Sequence, residues 1–200
     1  MTKALDLAVT KGKTFTYVVR WETDVITYAA VTAITQAAPV TITSTAHGVP
    51  NGWRVAVVSV KGMTQINAAG DPPKDKDYHA ATVSSANALQ LNTVNSAGYK
   101  AYASGGYVQY FTPAALAGFT ARMSVKDKVG GVELLSLTTV NAKILVDDVA
   151  KTITLTVSAT ETAALAFSKG VYDLELVSAT GVVTALLAGK VTVATEVTTL

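Results

Sequence analysis

The sequence predicts an all-β fold, a β-sandwich with one short helix that is interrupted by an inserted small β-barrel. Apolar and polar residues alternate in many short stretches, which is the period of a half-buried strand. Half of the residues are hydrophobic and only 15% are charged, so the chain can bury a core. Much of the apolar content is Ala and Val interleaved with Thr, a mixture that favours pleated sheet over long helices.

Strands are predicted where the alternation is bounded by turn-forming residues. In chain order they are two strands within Leu5–Trp21 around a turn at Lys11–Lys13, then Val40–Thr43, Trp53–Val60, His79–Val83, Ala88–Leu91, Tyr107–Phe111, Phe119–Val125, Val132–Leu137, Ile144–Val146, Ile153–Val157, Val171–Val177 and Val182–Val193. The segment Gly62–Tyr78 is predicted to be a surface loop, because its two prolines exclude a central strand.

One helix is predicted among these strands. Ser158 precedes Glu161 by three residues, the spacing at which the two side chains satisfy each other's free backbone donors. Thr162–Phe167 can then form about two helical turns before Gly170 ends them.

The domain prediction is one discontinuous sandwich formed by residues 1–30 and 112–200, with residues 31–111 as the inserted barrel of roughly five strands. The strand that ends at Trp21 lacks partners nearby, whereas the later half has a meander that can accept it. We therefore expect Trp21 to contact the later half, and Trp21 and Trp53 to lie in the two cores.

Composition excludes several function classes. The absence of cysteine excludes disulfides, thiolate metal sites and Cys nucleophiles. A net charge of +2 without a basic run predicts no nucleic-acid binding. No apolar run approaches the roughly 20 residues of a membrane-spanning helix, and the N-terminus lacks a signal-peptide pattern, so neither a membrane role nor export is expected.

Parts of the sandwich segments resemble a known family. Ala117–Gly131, which contains the letters GFTARM, together with Ile153–Leu165 and Gly170–Leu176, resembles the immunoglobulin-like N-terminal domains of baseplate and tail-fibre-holding proteins of tailed bacteriophages. In that family a strand similar to Lys13–Trp21 shortly precedes the GFTARM-like strand, whereas a long segment separates the two here. The resemblance implies an Ig-like sandwich.

The intervening segment has its own resemblance. Ile42–Gly52, Gly62–Asn67 and Gly98–Gly106 resemble a small β-barrel module that recurs in phage tail and fibre proteins and is similar to a module of the catalytic-cysteine half of ubiquitin-activating enzymes. Because the chain has no Cys, thiol chemistry is excluded.

Together the resemblances imply a structural virion protein of a tailed phage, in the tail, baseplate or neck, assembled in the host cytoplasm. The expected partners are other virion structural proteins and further copies of the chain, with no nucleic acid, membrane or cofactor. The alternatives are a capsid decoration protein and a carbohydrate- or receptor-binding module on the virion surface.

No enzyme activity is expected, and no catalytic, cofactor or metal site is predicted. His47 and His79 are not part of a ligand-spaced motif. The loop Asp71–Asp77 lacks the ligand order of a calcium loop and carries two lysines. Adjacent residues of a strand point to opposite faces, so Asp147 and Asp148 are interpreted as turn formers instead of an acid pair.

An aromatic group near the end of the barrel segment is the candidate interface. Tyrosine can pack its ring and still satisfy its hydroxyl, which suits a protein interface or a sugar platform. The other interpretation is that the group caps the barrel core. Its members are Tyr99, Tyr102, Tyr107, Tyr110 and Phe111.

Overall fold

A computed structural model describes residues 3–196, which are almost entirely strand and loop. The strands are β1 (Lys3–Ala4), β2 (Leu7–Thr10), β3 (Phe15–Val19), β4 (Glu22–Ala30), β5 (Ala33–Ile34), β6 (Val40–Thr43), β7 (Arg54–Val58), β8 (His79–Ser85), β9 (Ala88–Leu91), β10 (Tyr107–Pro113), β11 (Thr120–Lys126), β12 (Glu133–Thr138), β13 (Ile144–Asp147), β14 (Thr152–Val157), β15 (Lys169–Val177) and β16 (Val183–Ala194). Helix α1 is Ala159–Ala163, and two 3₁₀ turns lie at Thr64–Ile66 and Asp75–Asp77. The all-β prediction is confirmed.

The chain divides into two compact units. The first consists of residues 3–21 and 115–196 of the described chain, and the second of residues 22–114. These boundaries differ from the expected ones because β4, which was expected in the sandwich, pairs along its length with β10 of the inserted unit. Residues 1–2 and 197–200, which the expected sandwich included, lie outside the described residues.

The first unit is a sandwich of two sheets. One sheet has the order β1-β16-β15-β11-β12, and β2 also pairs with β16. The other sheet has the order β13-β14-β3, so β3 comes from the N-terminal segment and pairs with a strand of the later segment. Leu155 and Leu174, one from each sheet, are fully buried in the core between them. Trp21 packs edge-on against Phe119 at 6.0 Å between ring centroids, which is the contact with the later half that the sequence predicted.

The capping box predicted before the helix is present. The Ser158 Oγ accepts a hydrogen bond from the Glu161 backbone N–H, and the Glu161 carboxylate accepts one from the Ser158 N–H. The helix itself begins immediately after the cap and ends at Ala163, so the predicted span Thr162–Phe167 is wrong. Leu165 is buried in the sandwich core, and Phe167 packs against the same core. The helix ends before these two residues, and both side chains reach the core from the segment that follows it.

The second unit is a seven-stranded sheet with the order β4-β10-β7-β8-β9-β6-β5. Its two outermost strands, β4 and β5, are consecutive in the chain and are joined by only two residues, Val31 and Thr32. The backbone N–H groups of these two residues donate to segments on opposite sides of the chain. The Val31 N–H donates to Gly106 O at 3.0 Å, and the Thr32 N–H donates to Thr43 O at 2.8 Å. The sheet therefore closes into a barrel, and Trp53 is fully buried in its core.

Candidate functional site

The aromatic group predicted from the sequence does not form one surface. Tyr110 is buried in the barrel core, where its hydroxyl donates to His47 O at 2.8 Å. Tyr99 and Tyr102 are half-buried against the same core, and the Tyr102 hydroxyl donates to the carbonyl of Val31. For these three residues the structure fits the interpretation of core-capping side chains, and Tyr110 is not available to a partner.

Tyr107 differs from these three residues because it lies on the outer face of the barrel. It is 45% exposed and stands edge-on to Tyr28, which is 54% exposed, with 5.9 Å between ring centroids. Tyr28 comes from β4 and lies opposite Gln109 in the register of β4 with β10. Tyr28 was not among the predicted residues, because the sequence pattern predicted no strand at residues 22–30.

Phe111 belongs to a cluster of rings and charges further along β10. It stacks on Tyr78 with 5.9 Å between centroids, and the Arg54 guanidinium lies 5.0 Å from the centre of the Tyr78 ring. Arg54 also donates three hydrogen bonds to the Glu22 carboxylate, two from Nε at 2.7 and 2.9 Å and one from Nη2 at 2.6 Å, and its Nη1 donates to Asp75. The Glu22 hydrogen bond raises the pKa of Arg54, while burial raises the pKa of Tyr78.

Both histidines make hydrogen bonds that account for their positions. The Val49 N–H donates to Nδ1 of His47 at 3.0 Å, which leaves the proton on Nε2 to be donated to Ser85 O. Buried His47 thus joins a turn to the end of β8. His79 Nδ1 bonds the Thr93 hydroxyl at 2.9 Å. Within residues 3–196, no group of three or more His, Cys, Asp or Glu side chains is placed to hold a metal ion.

The two adjacent aspartates act as loop anchors. Asp147 Oδ1 accepts hydrogen bonds from the N–H groups of Val149 and Ala150, which is the turn role expected from the sequence. Asp148 accepts from the Leu116 N–H and binds Lys151 Nζ at 2.6 Å, and the Lys151 hydrogen bond lowers the pKa of Asp148. Both carboxylates bond residues of the β13–β14 turn, and Asp148 also ties that turn to Leu116.

The solvent side of the three-stranded sheet forms a surface with little charge. Leu145, Thr154 and Val18 are neighbours across β13, β14 and β3, and Thr156 and Thr16 form the next pair. Leu145 is 63% and Val18 is 40% exposed. We call these five residues the outer face.

One ion pair, between Lys143 and Glu161, lies at the margin of the outer face. Lys143 Nζ bonds Glu161 at 2.8 Å, and this hydrogen bond is the main cause that lowers the pKa of Glu161 to about 2. In the described part of the chain, β3 and β13 each pair with β14 alone and are the edge strands of the sheet. Edge strands carry backbone groups to which another strand can bond.

Comparisons with known proteins give no further assignment. No protein-family model matches the chain, and no curated protein is similar to it in sequence.

None of the helices in residues 3–196 combines the length and apolar character needed to cross a bilayer.

Proposed function

We propose that the chain is a structural protein of a tailed-bacteriophage virion, a component of the tail, baseplate or neck that assembles with other virion proteins and with copies of itself. The observation that supports this proposal best is the outer face of the sandwich. Its central row places exposed Leu145 and Val18 on either side of Thr154, and all five of its residues are uncharged.

Such a surface suits a lasting protein contact. Desolvating an uncharged Thr, Val and Leu surface costs less than desolvating charges, and interface cores are depleted in charged residues. The edge strands β3 and β13 border the same face, so a neighbouring chain can pack on the face and extend the sheet by backbone hydrogen bonds. A stable contact of this kind buries more than about 1,000 Å² in total.

The test replaces the centre of the outer face with charge. Val18→Glu and Leu145→Glu each place a carboxylate where a partner would remove water, and because both side chains are exposed the sandwich should still fold. Val149→Glu is the matched control, since Val149 is an exposed apolar residue of the same unit in the β13–β14 turn, outside the outer face.

The readout is incorporation of a tagged chain into particles purified from infected cells that produce it, followed by mass spectrometry. We expect the parent chain and Val149→Glu to enter the particles, and the two outer-face variants to be reduced by at least about tenfold, which corresponds to 1.4 kcal/mol of contact energy. A parent chain that is absent from purified particles would refute the structural role. Equal incorporation of all four proteins would show that the contact lies elsewhere on the chain.

A further inference from the structure

A groove on the outside of the barrel has the chemistry of a ligand site. It is open to solvent, has a volume of about 760 Å³, and is lined by residues of β4 and β10, by the end of β7 and by the loop at residues 67–71. Its size lies within the range of small-molecule sites, roughly 300–1,000 Å³. Tyr28 and Tyr107 line it with exposed rings, Gln109 is a buried lining residue, and Ser59 and Asp71 add polar groups.

The loop side of the groove is held in place by the protein. Asn67 uses both ends of its amide on Val60, accepting from the backbone N–H at 2.9 Å and donating to the carbonyl at 3.0 Å. The Ala68 N–H donates to Val57 O at 2.7 Å. Because these bonds already exist in the free protein, this side of the groove would not have to become ordered on binding. A ligand would therefore bind without the entropy cost of ordering that loop.

Several polar groups that line the groove have no hydrogen-bond or ion-pair partner among the described residues. In the described residues, the hydroxyls of Tyr28, Tyr107 and Ser59 make no hydrogen bond, and the Asp71 carboxylate has neither an ion pair nor a hydrogen bond. Gln109 donates its amide N–H to the Tyr78 hydroxyl at 3.1 Å, while no described residue donates to its amide oxygen. Unpaired donors and acceptors beside aromatic rings are arranged to be satisfied by a ligand.

The composition of the lining selects the class of ligand. Asp71 is the one charged residue among the lining residues, so the groove opposes phosphates and other anions. The free hydroxyls, amide and carboxylate disfavour a purely apolar ligand, since burying them without partners costs free energy. A pyranose satisfies both conditions, because it is neutral, carries hydroxyls around its rim and presents a C–H face that packs on aromatic rings.

We infer that this groove binds a neutral carbohydrate, with Tyr28 and Tyr107 packing against the sugar and Asp71, Gln109 and Ser59 bonding its hydroxyls. The two rings meet at an interplanar angle of 81°, so one can lie flat under a sugar while the other forms a side wall. This inference does not depend on the proposed assembly role, because its residues belong to the barrel unit and the outer face belongs to the sandwich unit.

The test begins with the full-length chain on an array of neutral oligosaccharides, and the strongest binder is then titrated in solution by NMR. We expect at least one neutral glycan to bind. Tyr28→Ala and Tyr107→Ala should each weaken binding by about tenfold, since each removes a packing ring. Asp71→Asn should weaken binding too, because a charged acceptor bonds hydroxyls more strongly than an amide.

Two controls separate recognition from folding. Val25→Ala changes an exposed residue of the same strand β4 that does not line the groove and should bind as the parent does. Tyr107→Phe keeps the ring and removes only the hydroxyl, so it should lose less affinity than Tyr107→Ala. The inference fails if the parent chain binds no neutral glycan on the array, if it binds only anionic ones, or if the double variant Tyr28→Ala, Tyr107→Ala binds as well as the parent.

Discussion

Removing the inserted unit should leave a folded sandwich. Every residue of the sandwich core lies in residues 3–21 or 115–196, so deleting residues 22–114 removes no core side chain. The ends of the deleted segment are close together, because Glu22 and Pro113 are paired neighbours in adjacent antiparallel strands. Such pairs have Cα atoms about 4.5–5.5 Å apart, and a Gly-Ser linker of roughly four residues spans this distance with slack.

The expected change in the free energy of unfolding is small. Closure entropy grows only with the logarithm of loop length, so exchanging the paired ends of a folded insert for a short linker alters it by about 1 kcal/mol. In a domain of this size that shifts the melting temperature by less than about 8 °C. Leu174→Ala in the deletion variant is the internal control, because a fully buried Leu lost to a cavity costs about 2–5 kcal/mol.

The assay is thermal unfolding followed by near-ultraviolet circular dichroism, with size-exclusion chromatography to detect aggregation. A single cooperative transition, lowered clearly by Leu174→Ala, supports an independent sandwich. A deletion variant that keeps strand content but loses its near-ultraviolet signal and binds a hydrophobic dye would be a molten state. That result would refute the reasoning, since it would mean that packing of the sandwich depends on the insert.

Three further predictions test individual contacts. Arg54→Ala should destabilise the barrel by about 1–2 kcal/mol in chemical denaturation, because it removes a partly exposed ion pair and a cation–π contact, while exposed Lys100→Ala should have little effect. Glu161 has its pKa lowered from 4.5 to about 2, so its stabilising contribution is complete above about pH 4.5 and is lost as the pH falls towards 2. Glu161→Gln should therefore flatten the acid limb of a plot of melting temperature against pH, and an unchanged limb would contradict the cause assigned to the shift. Gly189→Ala should lower stability by about 1–3 kcal/mol, because the added methyl would overlap the Leu5 carbonyl, and a variant as stable as the parent would show that the segment between β1 and β2 can shift freely.

Local chemistry made much of the fold predictable. The hairpin of β8 and β9 was predicted because turn-forming residues separate two alternating stretches. The observed β9 has the predicted bounds, Ala88–Leu91, whereas β8 continues to Ser85, so the turn has two residues instead of the four expected. The capping box at Ser158 was found for the same reason, since both partners lie within one turn. The length of α1 was not predictable in this way, because it is set by where Leu165 enters the core.

The aromatic residues predicted as an interface show that side chains cannot be assigned to one surface until the register of their strand is known. Tyr107 and Tyr110 are three residues apart in β10, so alternation places them on opposite faces, one outside and one in the core. The sequence grouped them because they are close along the chain and of one type. Sorting them needed the bounds of β10 and the direction of its inner face, which are fixed by distant partners such as β4 and β7.

Strand β4 accounts for what the sequence could not supply about the groove. Its nine residues, Glu22–Ala30, are without exception exposed or only half-buried, so they lack the buried alternation from which the other strands were recognised. The strand forms because its backbone pairs with β10 at positions some 80 residues away, as in Tyr28 opposite Gln109, and because Thr27 and Thr112 share a hydrogen bond of 2.7 Å between their hydroxyls. No short-range pattern encodes that pairing. The contact between Tyr28 and Tyr107 therefore could not be predicted from the sequence. The groove proposed to bind a glycan can be inferred only from the structure, in which the sheet brings β4 and β10 together.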